Sequence, residues 1–397
     1  MKRLTGLLVV LLFGHSILFG QAPPPPPIYK VEILSYNNQI VLADDLNDNG
    51  VVVGTIVLSD RLYNPFRWNG QLSQADQFLV VNSLAPTYSF STINNSGISA
   101  GKKSPADASG NKLVLWDGIR IKSYIGVEQF ETNVSKKDHQ IVSITDGLMA
   151  GNVNVFVRST GSSRIEAPRA FVGFNDNAEL LPLYSRKVGM TMVDYPHTEV
   201  YRAVVRDNKY YVLGVSRMAT NDPFYRENFP TFWIKDKTGG TWQKDNQEWQ
   251  VKAFGLFDQN TFFTGADRLT NGGDIYACGY ASNNSIRQGI LYLLNAPWTK
   301  REMISLRNND DVEVLDIRYV TAKSKAFAVG SSGERAVRWM FISETNHTIV
   351  DLNDVIERNS ANRDLVLKKA MRINNKGQIL CRGTLSNMPV SVLLSFR

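Results

Sequence analysis

Leu46-Asn-Asp-Asn-Gly-Val-Val-Val-Gly54 and Ile373-Asn-Asn-Lys-Gly-Gln-Ile-Leu-Cys-Arg-Gly383 share one design, although they lie near opposite ends of the chain. Each runs from an apolar residue through a polar turn rich in Asn, Asp and Gly, then a short apolar run, to a closing glycine. Asn and Gly accept the positive φ of tight turns, so the middle of each stretch reads as a hairpin turn. The apolar run after it reads as a buried strand. A glycine ending such a run suits a bend or a close approach of another backbone segment.

Five further copies lie between these two. They are Ile93-Asn-Asn-Ser-Gly-Ile-Ser-Ala-Gly101, Ile144-Thr-Asp-Gly-Leu-Met-Ala-Gly151, Val205-Arg-Asp-Asn-Lys-Tyr-Tyr-Val-Leu-Gly214, Leu269-Thr-Asn-Gly-Gly-Asp-Ile-Tyr-Ala-Cys-Gly279 and Val320-Thr-Ala-Lys-Ser-Lys-Ala-Phe-Ala-Val-Gly330. The closing glycines are separated by 47, 50, 63, 65, 51 and 53 residues, so seven copies fill the chain after its N-terminal segment. The third copy has a shortened turn, and the sixth has lost its Asn and Gly turn residues.

A second landmark follows each glycine. It reads Pro65-Phe-Arg-Trp68, Leu113-Val-Leu-Trp116, Arg169-Ala-Phe-Val172, Thr231-Phe-Trp-Ile234, Gly289-Ile-Leu-Tyr292, Ala336-Val-Arg-Trp339 and Ser391-Val-Leu-Leu394. A third short strand comes after a further polar turn, as at residues 77–81, 121–125, 251–257 and 348–352, and the stretch before each Asn/Asp turn supplies a fourth. Four short strands per unit of about 50 residues is the arithmetic of a propeller blade. The expected fold is therefore all-β: a seven-bladed β-propeller of four-stranded antiparallel blades. The last repeat stops at Arg397 without a fourth strand, while Tyr29-Lys-Val-Glu-Ile-Leu34 is an orphan strand before the first repeat. Pairing the two closes the ring and removes an exposed edge.

The repeat resembles that of the HAF family of bacterial extracellular repeat proteins: an Ile-Asn-x-x-Gly-x-x-x-Gly turn and strand, an Ala-Phe-hydrophobic-Trp strand and an Asp-Leu segment. Asp351-Leu-Asn-Asp-Val-Ile356 ahead of Ile373-Asn-Asn-Lys-Gly-Gln-Ile379 is very like the family's form. The resemblance spans about residues 31–397, strongly at both ends and weakly in repeats three, four and six. It implies an exported, propeller-like protein and brings no catalytic residues with it.

Residues 1–20 read as an export signal. Lys2 and Arg3 precede an apolar stretch at 4–19 that is short for a spanning helix, with Gly20 at the expected cleavage position. Residues 21–28 form a spacer whose five consecutive prolines, 23–27, favour stiff polyproline II. The propeller then occupies 29–397. Secretion or delivery to the periplasm is expected, as a monomer with no membrane insertion after cleavage. The formal charge of +7 becomes +5 once Lys2 and Arg3 leave, and the basic residues form no block of the kind nucleic acid requires. Cys278 and Cys381 fall in repeats that are not neighbours and at offsets that alternate across a strand, so two buried thiols are expected in preference to a disulfide.

Chemistry leaves little trace. His139, His197 and His347 are isolated from one another, and no Gly-x-Ser-x-Gly elbow or phosphate-binding glycine loop occurs. Asp45-Leu-Asn-Asp-Asn-Gly50 copies half of a calcium loop, but position twelve is Ile56 where a bidentate Glu is needed. No metal or cofactor is expected. The carboxylate pairs Asp44–Asp45 and Asp310–Asp311 are no more than chance supplies among 37 acidic residues. Trp68, Trp116 and Trp339 share one repeat position and read as blade packing.

Two insertions between second and third strands, 152–168 and 215–230, should emerge on one face of the ring. Their Arg and aromatic residues, Arg158, Arg164, Phe224, Tyr225, Arg226 and Phe229, are of the kinds enriched in binding surfaces. Residues 235–250, with Trp242 and Trp249, should emerge on the other face. The sequence thus points to an exported, non-catalytic propeller presenting a loop face to a protein or polysaccharide, with Arg164, Phe224, Tyr225, Arg226 and Phe229 as candidate contacts. The rival is an extracellular hydrolase or lyase acting on a glycan through the channel.

Overall fold

The computed structural model describes residues 28–59, 62–70, 78–80, 87–104, 112–125, 139–158, 164–174, 177–217, 228–238, 248–253, 260–283, 286–294 and 300–397. The expected leader and the proline run lie outside them. Among the described residues no helix is long and apolar enough to cross a membrane.

Each repeat folds where its turn predicts. Blade 1 is β2 (Ile40–Leu46), β3 (Val51–Ser59), β4 (Leu62–Asn69) and β5 (Phe78–Val80). Blade 2 is β6 (Thr87–Ile93), β7 (Ser99–Ser104), β8 (Lys112–Trp116) and β9 (Ile121–Ile125), and blade 3 is β10 (Gln140–Thr145), β11 (Leu148–Arg158), β12 (Arg164–Phe174) and β13 (Asn177–Leu180). A separate hairpin follows, β14 (Tyr184–Val188) and β15 (Thr191–Tyr195). Blade 4 is β16 (His197–Arg206), β17 (Lys209–Arg217), β18 (Asn228–Asp236) and β19 (Gln250–Ala253). Blade 5 is β20 (Thr261–Arg268), β21 (Ile275–Asn283), β22 (Ile286–Leu293) and β23 (Lys300–Glu302), and blade 6 is β24 (Val312–Val320), β25 (Lys325–Ser332), β26 (Arg335–Phe341) and β27 (His347–Asp351). After the single-turn helix α1 (Leu352–Val355) come β28 (Leu365–Ile373), β29 (Ile379–Leu385) and β30 (Met388–Phe396) of blade 7.

The fourth strand of blade 7 is β1 (Tyr29–Leu34), antiparallel to β30 in the register Tyr29↔Phe396 to Leu34↔Ser391. The orphan strand thus closes the ring. First strands of successive blades touch all the way round, so they line the central channel. The apolar cores lie between neighbouring blades: Leu34 and Leu393 pack with Val41 and Trp68 at one junction, and Trp339 packs with Tyr276 and Leu291 at another. Trp68, Trp116 and Trp339 are all buried.

The closing glycines have one common cause. Every first strand carries a β-bulge just after the residue opposite its blade's glycine: Ala43↔Gly54, Phe90↔Gly101, Ile141↔Gly151, Val200↔Gly214, Phe263↔Gly279, Val314↔Gly330 and Leu367↔Gly383. The bulge swings the preceding carbonyl over the glycine. A methyl group there would overlap the carbonyl oxygen of Leu42, Ser89, Gln140, Glu199, Phe262, Glu313 or Val366 respectively. The close approach is therefore within each blade.

The turn asparagines do more than shape a turn. Gly50, Gly97 and Gly377 take the positive φ, not the leading Asn. Asn47 Oδ1 instead accepts from the amides of Asn49 (3.0 Å) and Val51 (2.9 Å), and Asn374 Oδ1 accepts from Lys376 and Gln378. The amide NH2 then reaches the next blade. Asn374 Nδ2 donates to Asn47 O (3.0 Å), Asn47 Nδ2 to Asn94 O (2.9 Å) and Asn94 Nδ2 to Thr145 O (3.4 Å).

One expectation needs correction, one element was not foreseen, and the expected pair of buried thiols is found. Residues 152–168 are mostly strand, because β11 and β12 extend to Arg158 and from Arg164 with Val153 and Val155 buried on one side. The β14–β15 hairpin, absent from the sequence reading, accounts for the long spacing between Gly151 and Gly214. Cys278 and Cys381 are free and buried in β21 and β29.

Candidate functional site

The bulges leave polar side chains pointing from the first strands into the channel. At its middle sits Asp45. Its carboxylate accepts from Thr92 Oγ1 (2.8 Å), the Ile93 amide (3.1 Å), Arg372 Nε (3.0 Å) and Arg202 NH1 (3.4 Å). Arg202 belongs to blade 4 and Asp45 to blade 1, so this pair bridges the channel. Burial raises the Asp45 carboxyl, but Arg202, Arg372 and its hydrogen bonds outweigh that and hold it below the usual carboxylate range.

Charges continue this ring through the other half of the molecule. Asp267 takes a bidentate pair from Arg206, 2.8 Å to each oxygen, and accepts the Tyr319 amide at 3.3 Å. Burial again opposes its ionisation, and Arg206 and Arg318 prevail. Asp316 accepts the Ile373 amide at 3.1 Å. Asp44 also lies at this ring: burial raises its carboxyl above the usual value although Arg382 contacts it. The Asp44–Asp45 pair therefore has one member wholly committed to structure. Asp310 accepts from Ser332 Oγ (2.8 Å) and Asp311 from the Arg287 amide (3.0 Å). Among the described residues no three His, Cys, Asp or Glu side chains gather to hold a metal ion.

On the turn side of this ring is a cavity of about 280 Å³, floored by Arg202 and lined by Asp48, Asp146, Arg206, Lys237 and Arg318. On the opposite side a cavity of about 300 Å³ joins blades 2, 3 and 4, lined by Lys102, His139, Gln140, Asn152, Asn154, Pro168 and Glu199. This second one is the candidate site.

Its wall is built by strand alternation. In β16 the side chains of Thr198, Val200 and Arg202 are buried while His197, Glu199 and Tyr201 are half-exposed. Glu199 Oε1 is 2.8 Å from His197 Nε2 and 3.5 Å from Arg217 NH1, and Glu199 Oε2 accepts from Tyr201 OH at 3.2 Å. Arg217 NH2 also donates to Tyr201 Oη at 3.4 Å. Burial raises Glu199, but the His197 hydrogen bond and the Arg217 charge reverse this and keep it ionised. Burial, reinforced by Glu199, pushes the Tyr201 phenol up, so it stays a neutral donor. Asn152 clamps the two blades with a reciprocal pair, Nδ2 to Val200 O (3.1 Å) and Val200 N to Oδ1 (2.7 Å). Alternation along β11 places Asn154 and the exposed Phe156 on the same side as Asn152.

Of the contacts expected from sequence, Arg164 opens β12 opposite Arg158, at the end of the β11–β12 arm. Phe224, Tyr225 and Arg226 lie outside the described residues. Phe229 is a correction: it is buried, its ring 4.8 Å from Tyr195 and 5.5 Å from Tyr184. The unforeseen β14–β15 hairpin covers it, so it anchors that hairpin and presents nothing to solvent. Trp249 is likewise buried, with Nε1 donating to Glu179 Oε1 at 2.8 Å. Sequence reasoning passed over Glu199, Tyr201 and Arg217. The available signal was the polar alternation His197-x-Glu199-x-Tyr201 on the strand entering a turn.

No family model matches the chain, and no curated protein matches its sequence. Similar solved structures include the β-propeller domain of the Trilobed protease from Pyrococcus furiosus, at 10% identity and TM-score 0.48, covering 91% of this chain and 94% of that one. Drosophila Semaphorin 1a, extracellular domains 1-2, has 8% identity and TM-score 0.42, covering 94% and 87%. Trypanosoma rangeli sialidase with 2,3-difluorosialic acid has 10% identity and TM-score 0.41, covering 81% of this chain and 55% of that one.

Proposed function

We propose that the protein is an exported binding propeller that holds a polysaccharide at the channel mouth shared by blades 2, 3 and 4. The observation that carries this reading is the cavity of about 300 Å³, which combines a carboxylate, an ammonium and side-chain amides on rigid strands. Sugar hydroxyls need donors and acceptors fixed in place, and an aromatic face beside them; Asn154, Gln140, Lys102, Glu199 and Phe156 supply these. A protein partner would call for a larger apolar centre. The leader-like residues 1–20 and the repeat's likeness to extracellular proteins support export.

Hydrolysis is the second reading. It needs an acid held protonated beside an ionised partner. Among the described residues Glu199 is the one carboxylate lining this cavity and it is held ionised, so no second carboxyl stands there to act as the acid, which favours binding. The test is a glycan array read with the wild type and with Lys102→Ala/Asn154→Ala/Phe156→Ala. Retention of a polysaccharide, reduced at least tenfold in the variant at unchanged melting temperature, is expected. Undiminished binding by the variant would sink the site, and release of new reducing ends from the retained glycan would move the reading to hydrolysis.

A further inference from the structure

A third cavity, of about 410 Å³, lies across the ring from blades 2 to 4, where β1 closes blade 7 against blade 6. Its floor is apolar: Phe327 of β25, Met340 of β26 and Phe396 of β30. Its polar side chains are Arg338, Lys323, Lys325 and Arg397, the last already paired with Glu357, and among the described residues none of the lining side chains is acidic. Arg338 is the unusual member. It is 6% exposed, it donates to Tyr29 OH at 2.7 Å, and among the described residues it has no carboxylate partner. Its Nε meets no acceptor among the described residues. Three rings surround its guanidinium, Phe327 at 5.1 Å, Tyr29 at 5.5 Å and Phe396 at 5.9 Å, while Lys323 Nζ lies 4.7 Å from the Phe396 ring centre. A buried cation normally comes with an anion, and here three rings and the neutral Tyr29 hydroxyl stand in for it.

We infer that this cavity binds a small amphipathic carboxylate. The apolar body lies on Phe327, Met340 and Phe396, and the carboxylate reaches the Arg338 guanidinium and the Lys323 ammonium. Charge complementarity fixes the sign of the ligand, and the cavity volume fits a molecule of small-ligand size. This site is independent of the polysaccharide reading, since it lies between blades 6 and 7 and shares no residue with the cavity at blades 2 to 4.

Calorimetric titration of the full chain with 4-phenylbutyrate, and with 4-phenylbutan-1-ol as its uncharged counterpart, tests the inference. The carboxylate should bind at least tenfold more tightly than the alcohol. Arg338 holds the closing strand, so the informative variant is Lys323→Glu/Lys325→Glu, at two exposed positions. It should weaken 4-phenylbutyrate at least tenfold at unchanged melting temperature and leave the alcohol unaffected, with Lys323→Gln/Lys325→Gln in between. Equal binding of acid and alcohol, no binding at millimolar concentration, or full carboxylate affinity in the Glu variant would each overturn it.

Discussion

At the turns, blades 7, 1, 2 and 3 are tied by amides, whereas blades 4, 5 and 6 are tied by charge. On the first side Asn374, Asn47 and Asn94 each close their own turn and reach the carbonyl of the next. On the other side Arg206 grips Asp267, Asp267 accepts the Tyr319 amide, and Arg318 Nε reaches Ile373 O at 3.3 Å. The two halves solve one problem, which is to hold each blade's turn to its neighbour's. Where the solution is an amide, the turn keeps its Asn-x-x-Gly form. Where it is a salt bridge, the turn is free to become Arg206-Asp-Asn-Lys209 or Val320-Thr-Ala-Lys-Ser-Lys325, and the repeat fades from the sequence. Degeneracy of the motif therefore reflects a change of chemistry at constant geometry.

The largest contrast is expected from removing one tie in each half. Asp267→Ala leaves Arg206 without its carboxylate and Arg318 with Asp316 in place of two, and should cost about 3–5 kcal/mol. Asn47→Ala leaves backbone groups unsatisfied but no buried charge, and should cost about 2 kcal/mol. Denaturant unfolding at neutral pH measures both. Equal losses would erase the distinction between the halves.

The bulge layer should show no such contrast. Gly101→Ala and Gly330→Ala place a methyl group on the carbonyl of Ser89 or Glu313, one in each half, and each should cost about 3 kcal/mol, at the upper end of overpacking. A tolerated substitution in one half alone would show that the bulge is not common to all blades.

The smallest effect is on the acid limb. The Asp267 carboxyl is held below its ordinary value, so the stability it contributes is complete above the unfolded-chain value of about 3.9 and is lost as pH falls through the folded value. Melting temperature followed from pH 6 to pH 2 should fall less steeply in Asp267→Asn than in the wild type. Asn47→Ala, which removes no titrating group, should run parallel to the wild type.

The propeller was legible because its signals are local. Seven glycines are required by seven bulges, and an orphan strand before the first repeat with a three-stranded last repeat announces the seam. The β14–β15 hairpin was hidden because its turn, Val188-Gly-Met-Thr191, lacks the Asn-Gly or Asp-Gly signature and its aromatic residues read as loop. Phe229 was misplaced for the same reason, its cover being that hairpin. The charge ring was invisible because its partners are distant in sequence: Asp45 is 157 residues from Arg202 and 327 from Arg372. The cavity at blades 2 to 4 draws Lys102, Gln140 and Glu199 from three repeats, and no spacing within one repeat could assemble them.

The cross-channel bridge joins two blades that are not neighbours, and it is the contact that makes the charges one ring. A double-mutant cycle with Asp45→Asn, Arg202→Gln and the double variant, read by denaturant unfolding, tests it most directly. A coupling of at least about 1 kcal/mol is expected for a contacting buried pair. Additivity within about 0.3 kcal/mol would show that the two residues do not meet across the channel.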